Sequence, residues 1–338
     1  MKAKIKLDIL LAGSRSSIVG LGHFSRMSAL YNVLRQGPEF SPHLAVLGDV
    51  SENTKLSSCN VTIVSDTTIA FFNLLTDFIA KNSVTVVVMD FHKSADGIAL
   101  LNFLKKNRAR GVKLIAVDSL IAHQQYLDHI WVPSIHFDLS KVSSEKESCN
   151  VSFGWDHFLL ARNEVSPNWN PGNEVLVMTG GSDVLDLGAW LPQALDKKLP
   201  AASKINWIKG PYSNRPNIPK RSKLDWQVHD SPRNIDKLIC SSSYVLTLYG
   251  VSFFEAIQYG LPTVVVPLYP SENICELALI RKDKVAMVAI DAESSVGDLV
   301  DLMTNDSLAK EISEKAKAKM NINGCNLLVS KISDIIRL

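Results

Sequence analysis

Short runs of aliphatic and β-branched residues alternate with stretches whose apolar positions recur every three or four residues, and the alternation continues through both halves of the chain. Residues 5–11 predict a strand. A helix follows from His23, with Met27, Leu30, Tyr31 and Leu34 on one face, and stops at Gly37-Pro38. Residues 43–47 and 61–64 predict two more strands, after which Asp66 or the threonines beside it would cap a helix turning Ile69, Phe72, Leu75 and Phe78 inward. Residues 84–90 are apolar on both faces, as an interior parallel strand has to be. A helix over 96–107, with Ile98, Leu101 and Leu104 inward, and strands at 113–118 and 130–132 extend the series. Such a series specifies βαβ units and a parallel sheet.

Between Ser134 and Gly172 the pattern lapses into Ser, Lys, Glu, Asn and Pro. It then restarts. Strands are predicted at 174–178, 204–208, 226–228, 244–248, 263–267 and 285–290. The helices between them start near Leu185, span 234–240, run to Tyr259 and cover 271–282; three more close the chain from Ser294, Leu308 and Asn326. A chain of 338 residues suits two doubly wound α/β domains, read as 1–165 and 172–338, with the last helix able to pack back on the first domain. Two such domains in series form a cleft between the C-terminal ends of their strands, where open α/β sheets bind ligands.

Composition narrows the function classes. With 46% apolar and 21% charged residues and a net charge of +2, the chain is an ordinary globular protein without the dense basic face that nucleic acid needs. Arg215, Lys220, Arg221 and Lys223 read as a solvated loop. The five cysteines, Cys59, Cys149, Cys240, Cys275 and Cys325, are scattered and show no zinc spacing, so reduced thiols in the cytoplasm and no metal site are expected. The basic N-terminus lacks the apolar stretch of a signal peptide, and no run approaches a membrane span, which leaves at most peripheral membrane contact.

Three stretches carry candidate chemistry. Gly20-Leu21-Gly22-His23-Phe24-Ser25-Arg26 lies where the first strand gives way to the first helix; its glycines allow a sharp turn, and a helix start favours a neutral imidazole, so His23 can serve as a base near neutral pH. Gly180-Gly181-Ser182 follows a strand and is read as opening a helix, with amides free to hold a diphosphate. Gly250-Val251-Ser252 is a second such turn, and Glu255 sits one turn into the helix, where a carboxylate could accept hydrogen bonds from both hydroxyls of a ribose. His92, just past a strand end, is a secondary candidate. Asp90 and Asp118 end adjacent strands and read either as a carboxylate pair or as caps, and His129 and His157 read as partners of local backbone groups.

The segment from Arg15 to Met27 resembles the opening motif of the UDP-sugar hydrolases of pseudaminic acid biosynthesis, approximately R-x-D-A-S-x-x-I-G-x-G-H-x-x-R-C. Further likenesses run in order: Met89-Asp90-Phe91-His92, the stretch from Phe153 to Leu160, Thr179 to Asp183, Gly250 to Pro262, and Asn273. That family is similar to the MurG-type glycosyltransferases. The resemblance implies a GT-B fold, two Rossmann-like domains facing across a cleft, and metal-independent cleavage of a nucleotide sugar at the anomeric carbon with inversion. It also implies that His23 positions or deprotonates the nucleophile, that Gly181, Ser182, Gly250 and Ser252 cradle phosphates, that Glu255 binds ribose and that Asn273 lies near sugar or phosphate. Gly20, Gly22, Arg26, Gly180 and Val251 complete the expected substrate-binding set.

The departures fall mostly on the acceptor side. The acid of R-x-D-A-S is missing, Asp-His-Tyr has become Asp90-Phe91-His92, and Gly-Gly-Ser-Thr has become Tyr249-Gly250-Val251-Ser252. They favour an inverting glycosyltransferase of surface-glycan assembly, using a UDP- or CMP-linked donor and a sugar or glycan acceptor. Two alternatives stay open: the hydrolase itself, with water as acceptor, and a non-catalytic nucleotide-sugar sensor or scaffold.

Overall fold

The computed structural model describes residues 6–16, 20–48, 61–142, 149–162, 164, 168–232 and 234–337. Cys59 and residues 17–19 of the opening motif lie outside them. The chain divides into two compact units, Met1–Ala161 with Asn323–Leu338, and Arg162–Ile322.

The first unit begins with β1 (Leu7–Arg15), α1 (Gly22–Gln36), β2 (Phe40–Gly48), β3 (Val61–Ser65) and α2 (Thr68–Asn82). It continues through β4 (Val86–Asp90), α3 (Ile98–Ala109), β5 (Lys113–Val117), β6 (His129–Val132) and β7 (Asn150–Phe153). All neighbours pair in parallel, in the order β3-β2-β1-β4-β5-β6-β7. Strand periodicity divides the core between the two faces of the sheet. Leu10, Ala12, Val87 and Met89 pack with α2 and α3, while Ile9, Leu11, Val86 and Val88 pack with α1. Gly13 and Asp90, two residues further along β1 and β4, continue the α1 side and stand in register with each other.

The second unit contains β8 (Glu174–Met178), α4 (Leu187–Lys198), β9 (Lys204–Lys209), β10 (Asp225–Asp230), α5 (Ile235–Ser241), β11 (Tyr244–Leu248) and α6 (Val251–Ile257). β12 (Thr263–Val266), α7 (Ile274–Asp283), β13 (Met287–Val288), α8 (Ser295–Thr304) and α9 (Asp306–Lys319) complete it, in the parallel order β10-β9-β8-β11-β12-β13. The last helix, α10 (Gly324–Arg337), belongs to the first unit, where Cys325, Leu328 and Ile332 join the α1 side of the core. Each unit is thus a doubly wound α/β layer structure.

Several local expectations are corrected. The lapse after Ser134 hides β7, an edge strand with two apolar residues in four. The phases of α2 and α3 are shifted: Phe71, Phe72, Leu75 and Ile79 are buried on one, Leu100, Phe103 and Leu104 on the other, whereas Ile69 and Ile98 stand 70% and 78% exposed. The N-cap of α2 is Thr67, which makes no side-chain capping bond. The chain passes between units at Ala161, and the second unit closes at Ile322.

Candidate functional site

The C-terminal end of β1 and the first turn of α1 lie close together, and small residues allow it. A Cβ on Gly13 would meet Met27 Cγ at 3.1 Å and the His23 carbonyl at 3.4 Å. Gly20 adopts φ +76°, a left-handed conformation that suits glycine, and its N–H donates to the Ser16 carbonyl at 2.8 Å. The first turn of α1 therefore rides over the C-terminal end of β1, beside Asp90 of β4.

Asp90 is fully buried and holds two side chains of that turn. His23 Nδ1 lies 2.6 Å from Asp90 Oδ1, and Arg26 donates from Nε to Asp90 Oδ2 at 2.7 Å and from Nη2 to Oδ1 at 2.9 Å. So short a contact with a carboxylate oxygen needs a proton between the two atoms; with Asp90 ionised that proton sits on Nδ1, and in the neutral ring Nε2 then keeps the lone pair. Arg26 Nη2 also approaches His23 Nδ1 at 3.0 Å and donates to Asp118 Oδ2 at 3.1 Å. Burial by itself would raise the Asp90 carboxyl, but the Arg26 charge and the hydrogen bonds from Arg26 and His23 outweigh it and hold the group below the usual carboxylate range. Burial likewise opposes the Arg26 charge, and Asp90 and Asp118 together raise its pKa above the ordinary value. Asp90 and Asp118 are thus two carboxylates bridged by one guanidinium rather than a proton-sharing pair. Arg26, expected among substrate-binding residues, is committed to them.

His92 lies past the end of β4, its ring centroid 6.2 Å from that of His23. Its backbone N–H donates to Ser14 Oγ at 2.9 Å, which ties it to β1. Its Nδ1 receives the Ser94 N–H at 3.2 Å and contacts Ser94 Oγ at 2.9 Å. Partial burial, a charge on His23 whenever that ring is protonated, and the Lys93 charge lower the His92 pKa and favour the neutral ring.

In the second unit, residues 179–186 form turns after β8, and Gly180 has φ +79°. The helix opens only at Leu187, and its first amides are taken: Asp183 accepts from the Leu187 N–H at 3.0 Å and the Gly188 N–H at 2.8 Å. Gly180-Gly181-Ser182 therefore precedes the helix start rather than forming it. A Cβ on Gly210 would sit 2.3 Å from the Gly180 carbonyl and 2.4 Å from that of Gly181, so the turn after β9 packs directly on this segment. Gly250, two residues past the end of β11, is the N-cap of α6, whose first turn holds no acid. Val251, Ser252 and Glu255 are partly buried. Burial, with Asp236 adding its charge, pushes the Glu255 carboxyl up to about 7. Asp236 is itself buried and hydrogen-bonded to Tyr259. Asn273 is the N-cap of α7 and makes no capping side-chain bond.

Other candidates fall elsewhere. His129 is buried with neither ring nitrogen hydrogen-bonded, and burial lowers its pKa to about 4; His157 pairs with Asp156 at 2.6 Å. Neither is held by local backbone groups as expected. Among the described residues no group of three His, Cys, Asp or Glu side chains could hold a metal ion, and Cys149, Cys240, Cys275 and Cys325 form no disulfide. No helix among them is long and apolar enough to cross a membrane. The structure brings the two candidate histidines, His23 and His92, together, and adds a link from His23 to Asp90 that the sequence did not indicate beyond the strand-end position of that acid.

No protein-family profile and no curated protein sequence matches the chain. Solved structures do. MurG of Acinetobacter baumannii superposes with a TM-score of 0.63 at 16% identity, covering 97% of this chain and 99% of the other. UGT2 of Phytolacca americana, complexed with UDP-2-fluoroglucose and pterostilbene, gives 0.63 at 12% identity over 97% and 99%. The spinosyn forosaminyltransferase SpnP gives 0.65 at 13% identity over 98% and 100%. At such identities the likeness concerns the fold. With parallel sheets of seven and six strands in two doubly wound units, and full-length matches of this kind, the chain has the GT-B glycosyltransferase fold.

Proposed function

We propose that the protein is an inverting, nucleotide-sugar-dependent glycosyltransferase in which His23 is the general base. The observation that carries the proposal is the His23–Asp90 contact. A buried carboxylate fixes Nδ1–H and so aims a basic Nε2 away from the core, the arrangement needed to take a proton from a nucleophile as it attacks. In the second unit, Gly180, Gly181, Ser182, Gly250, Val251 and Ser252 supply main-chain and hydroxyl donors to the donor phosphates, and Glu255 accepts from the ribose hydroxyls. Asn273 contacts the sugar or a phosphate. Gly20 and Gly22 give the acceptor close access to the backbone of the first unit.

The reaction is a single displacement. The acceptor oxygen forms its bond to the anomeric carbon as the bond from that carbon to the phosphate oxygen breaks. The nucleotide leaves with the bonding pair, and the nucleophile's proton passes to His23 Nε2. No metal is invoked. The fold shared with UDP-sugar enzymes supports a UDP-linked donor, with a CMP-linked donor as the alternative. The resemblance to the pseudaminic acid family supports a role in surface-glycan assembly, and the unpaired cysteines suit a cytoplasmic setting.

The test is a thermal-shift screen with UDP, CMP, GDP and TDP, followed by incubation of the matching sugar donors with and without acceptor. A ligand that binds only the native state raises the melting temperature, by an amount equivalent to roughly 2.7 kcal/mol at a hundredfold excess over Kd. One nucleotide should stabilise the protein and its sugar conjugate should be consumed. Free sugar released at a catalytic rate without acceptor would assign the hydrolase, and tight nucleotide binding with no turnover would assign a sensor.

A further inference from the structure

The His23 and His92 imidazoles of the first unit are held in opposite tautomers. His23 Nδ1 faces a carboxylate oxygen at 2.6 Å and must carry its proton there, so its Nε2 is an acceptor. His92 Nδ1 has the Ser94 N–H aimed at it at 3.2 Å, with Ser94 Oγ at 2.9 Å; a ring nitrogen that accepts a backbone N–H cannot carry a proton of its own, so His92 Nε2 is a donor. The backbone of the same residue is anchored to Ser14, and the neutral ring is favoured by partial burial and by the neighbouring Lys93 charge.

The two rings stand close enough to admit one shared atom between them. An oxygen at roughly 2.8 Å from each of two nitrogens, at a tetrahedral angle, spans roughly 4.6 Å between them. Ring centroids 6.2 Å apart leave room for that span. A hydroxyl satisfies both partners at once: its proton goes to the His23 lone pair, one oxygen lone pair accepts from His92, and the second oxygen lone pair is free to attack. A neutral amine has a single lone pair. If it accepts from His92, none remains for bond formation.

Resting on the transferase reading above, we propose that His92 is a nucleophile-positioning residue whose Nε2–H, paired with His23 Nε2, restricts the reaction to oxygen nucleophiles, alcohols or water, and excludes amines. The displacement balances as already written: the carbon–oxygen bond forms, the bond to phosphate breaks with its pair going to the nucleotide, and the hydroxyl proton ends on His23 while His92 keeps its own.

Two measurements on the full chain test this, and one of them needs no turnover. Ring-nitrogen NMR on protein labelled with ¹⁵N-histidine, at a pH where both rings are neutral and with assignments from His92→Gln and His23→Gln, should show His92 protonated at Nε2 and His23 at Nδ1. Ser94→Ala should weaken the His92 preference. A His92 ring protonated at Nδ1 overturns the proposal whatever the activity. The second measurement follows transfer from the donor identified by nucleotide screening to benzyl alcohol, benzylamine and water, above the pKa of the amine. Sugar should reach alcohol or water and not the amine. His92→Leu should lower the rate roughly tenfold to a hundredfold, the effect of one hydrogen bond lost at the reacting atom, and His92→Gln, which keeps an N–H near the Nε2 position, should recover most of it. The rate should rise with pH to a plateau. Amine transfer as fast as alcohol transfer, an alkaline fall that vanishes in His92→Gln, or failure of glutamine to rescue would each overturn the role of His92. Loss of all nucleotide binding would instead remove the transferase reading, with the tautomer result still standing.

Discussion

Replacing Asp90 with Asn keeps the shape of the side chain and removes its charge, and the surrounding hydrogen bonds fix what must follow. Asp90 accepts from His23 Nδ1 at 2.6 Å, Arg26 Nε at 2.7 Å and Arg26 Nη2 at 2.9 Å, in a position with no solvent exposure. An amide has one acceptor oxygen. If that oxygen faces Arg26 Nε, the NH₂ group faces His23, which must then accept on Nδ1 and carry its proton on Nε2, where the base is needed. If the amide turns round, its NH₂ abuts the guanidinium. Both outcomes cost catalysis, and in a catalytic triad the wrong imidazole tautomer lowers turnover by about 10⁴-fold. A fall in kcat of roughly 10³ to 10⁴ is therefore expected for Asp90→Asn, with nucleotide affinity unchanged because the expected nucleotide contacts lie in the second unit. Stability should fall as well. Removing one partner of a buried ion pair costs about 3 to 5 kcal/mol, and the 3.1 Å contact of Arg26 with Asp118, whose side chain is 41% exposed, offsets part of that, leaving about 2 to 4 kcal/mol. The assay is steady-state turnover together with nucleotide titration calorimetry and thermal unfolding, with Asp118→Asn as the companion variant. Asp118→Asn should cost about 1 kcal/mol and leave the rate within a few-fold. A folded Asp90→Asn protein with wild-type kcat would refute the assignment of the His23 tautomer.

Glu255 gives a prediction with a definite sign. Its carboxyl is raised from 4.5 to about 7, so the native state holds a proton that the unfolded chain releases, and stability declines as pH rises from about 4.5 to 7 and then levels off. Glu255→Gln should flatten that decline and stabilise the protein at pH 8 by about 1 to 3 kcal/mol after allowance for partial exposure, while weakening nucleotide binding; urea unfolding and calorimetry at pH 5 and pH 8 check both halves. In the wild type, nucleotide affinity should fall as pH drops below about 7, because the carboxylate is the form that accepts from ribose; affinity independent of pH would remove Glu255 from the ribose site. Gly210→Ala would drive a Cβ to 2.3 Å from the Gly180 carbonyl and displace the turn after β8, so it should lower stability by about 1 to 3 kcal/mol and weaken nucleotide binding more than any change at an exposed residue of α4.

The elements that could be read from the sequence are those whose burial leaves a one-dimensional trace. β4 and β11 are buried throughout and so appear as mainly apolar runs, one ending in Asp90 and the other interrupted only by Thr247, and α1 announces itself by Met27, Leu30, Tyr31 and Leu34 behind a glycine turn. β7 could not be read because an edge strand needs apolar residues on one face only. α3 was misphased by Ile98, an exposed isoleucine indistinguishable in sequence from a core residue until the position of Leu100 and Phe103 on the sheet is known. The site divides in the same way. His23 and Asp90 could each be singled out as candidates, one at a strand-to-helix turn and one at a strand end. Their link could not, because Asp90 lies 67 residues away and meets His23 only through the β1–β4 pairing that sets Gly13 opposite it. The commitment of Arg26 to two carboxylates, and the opposed tautomers of His23 and His92, depend on side-chain hydrogen bonds that no spacing rule encodes.

The central claim, that His23 activates the nucleophile for attack on a nucleotide sugar, is tested most directly by comparing donor turnover in the wild type and His23→Ala under conditions where nucleotide binding is measured in the same samples. The account predicts a loss of turnover of roughly 10² to 10⁴, the range attributed to a positioned general base, with nucleotide affinity within about twofold of wild type. Equal turnover in the two proteins would contradict it.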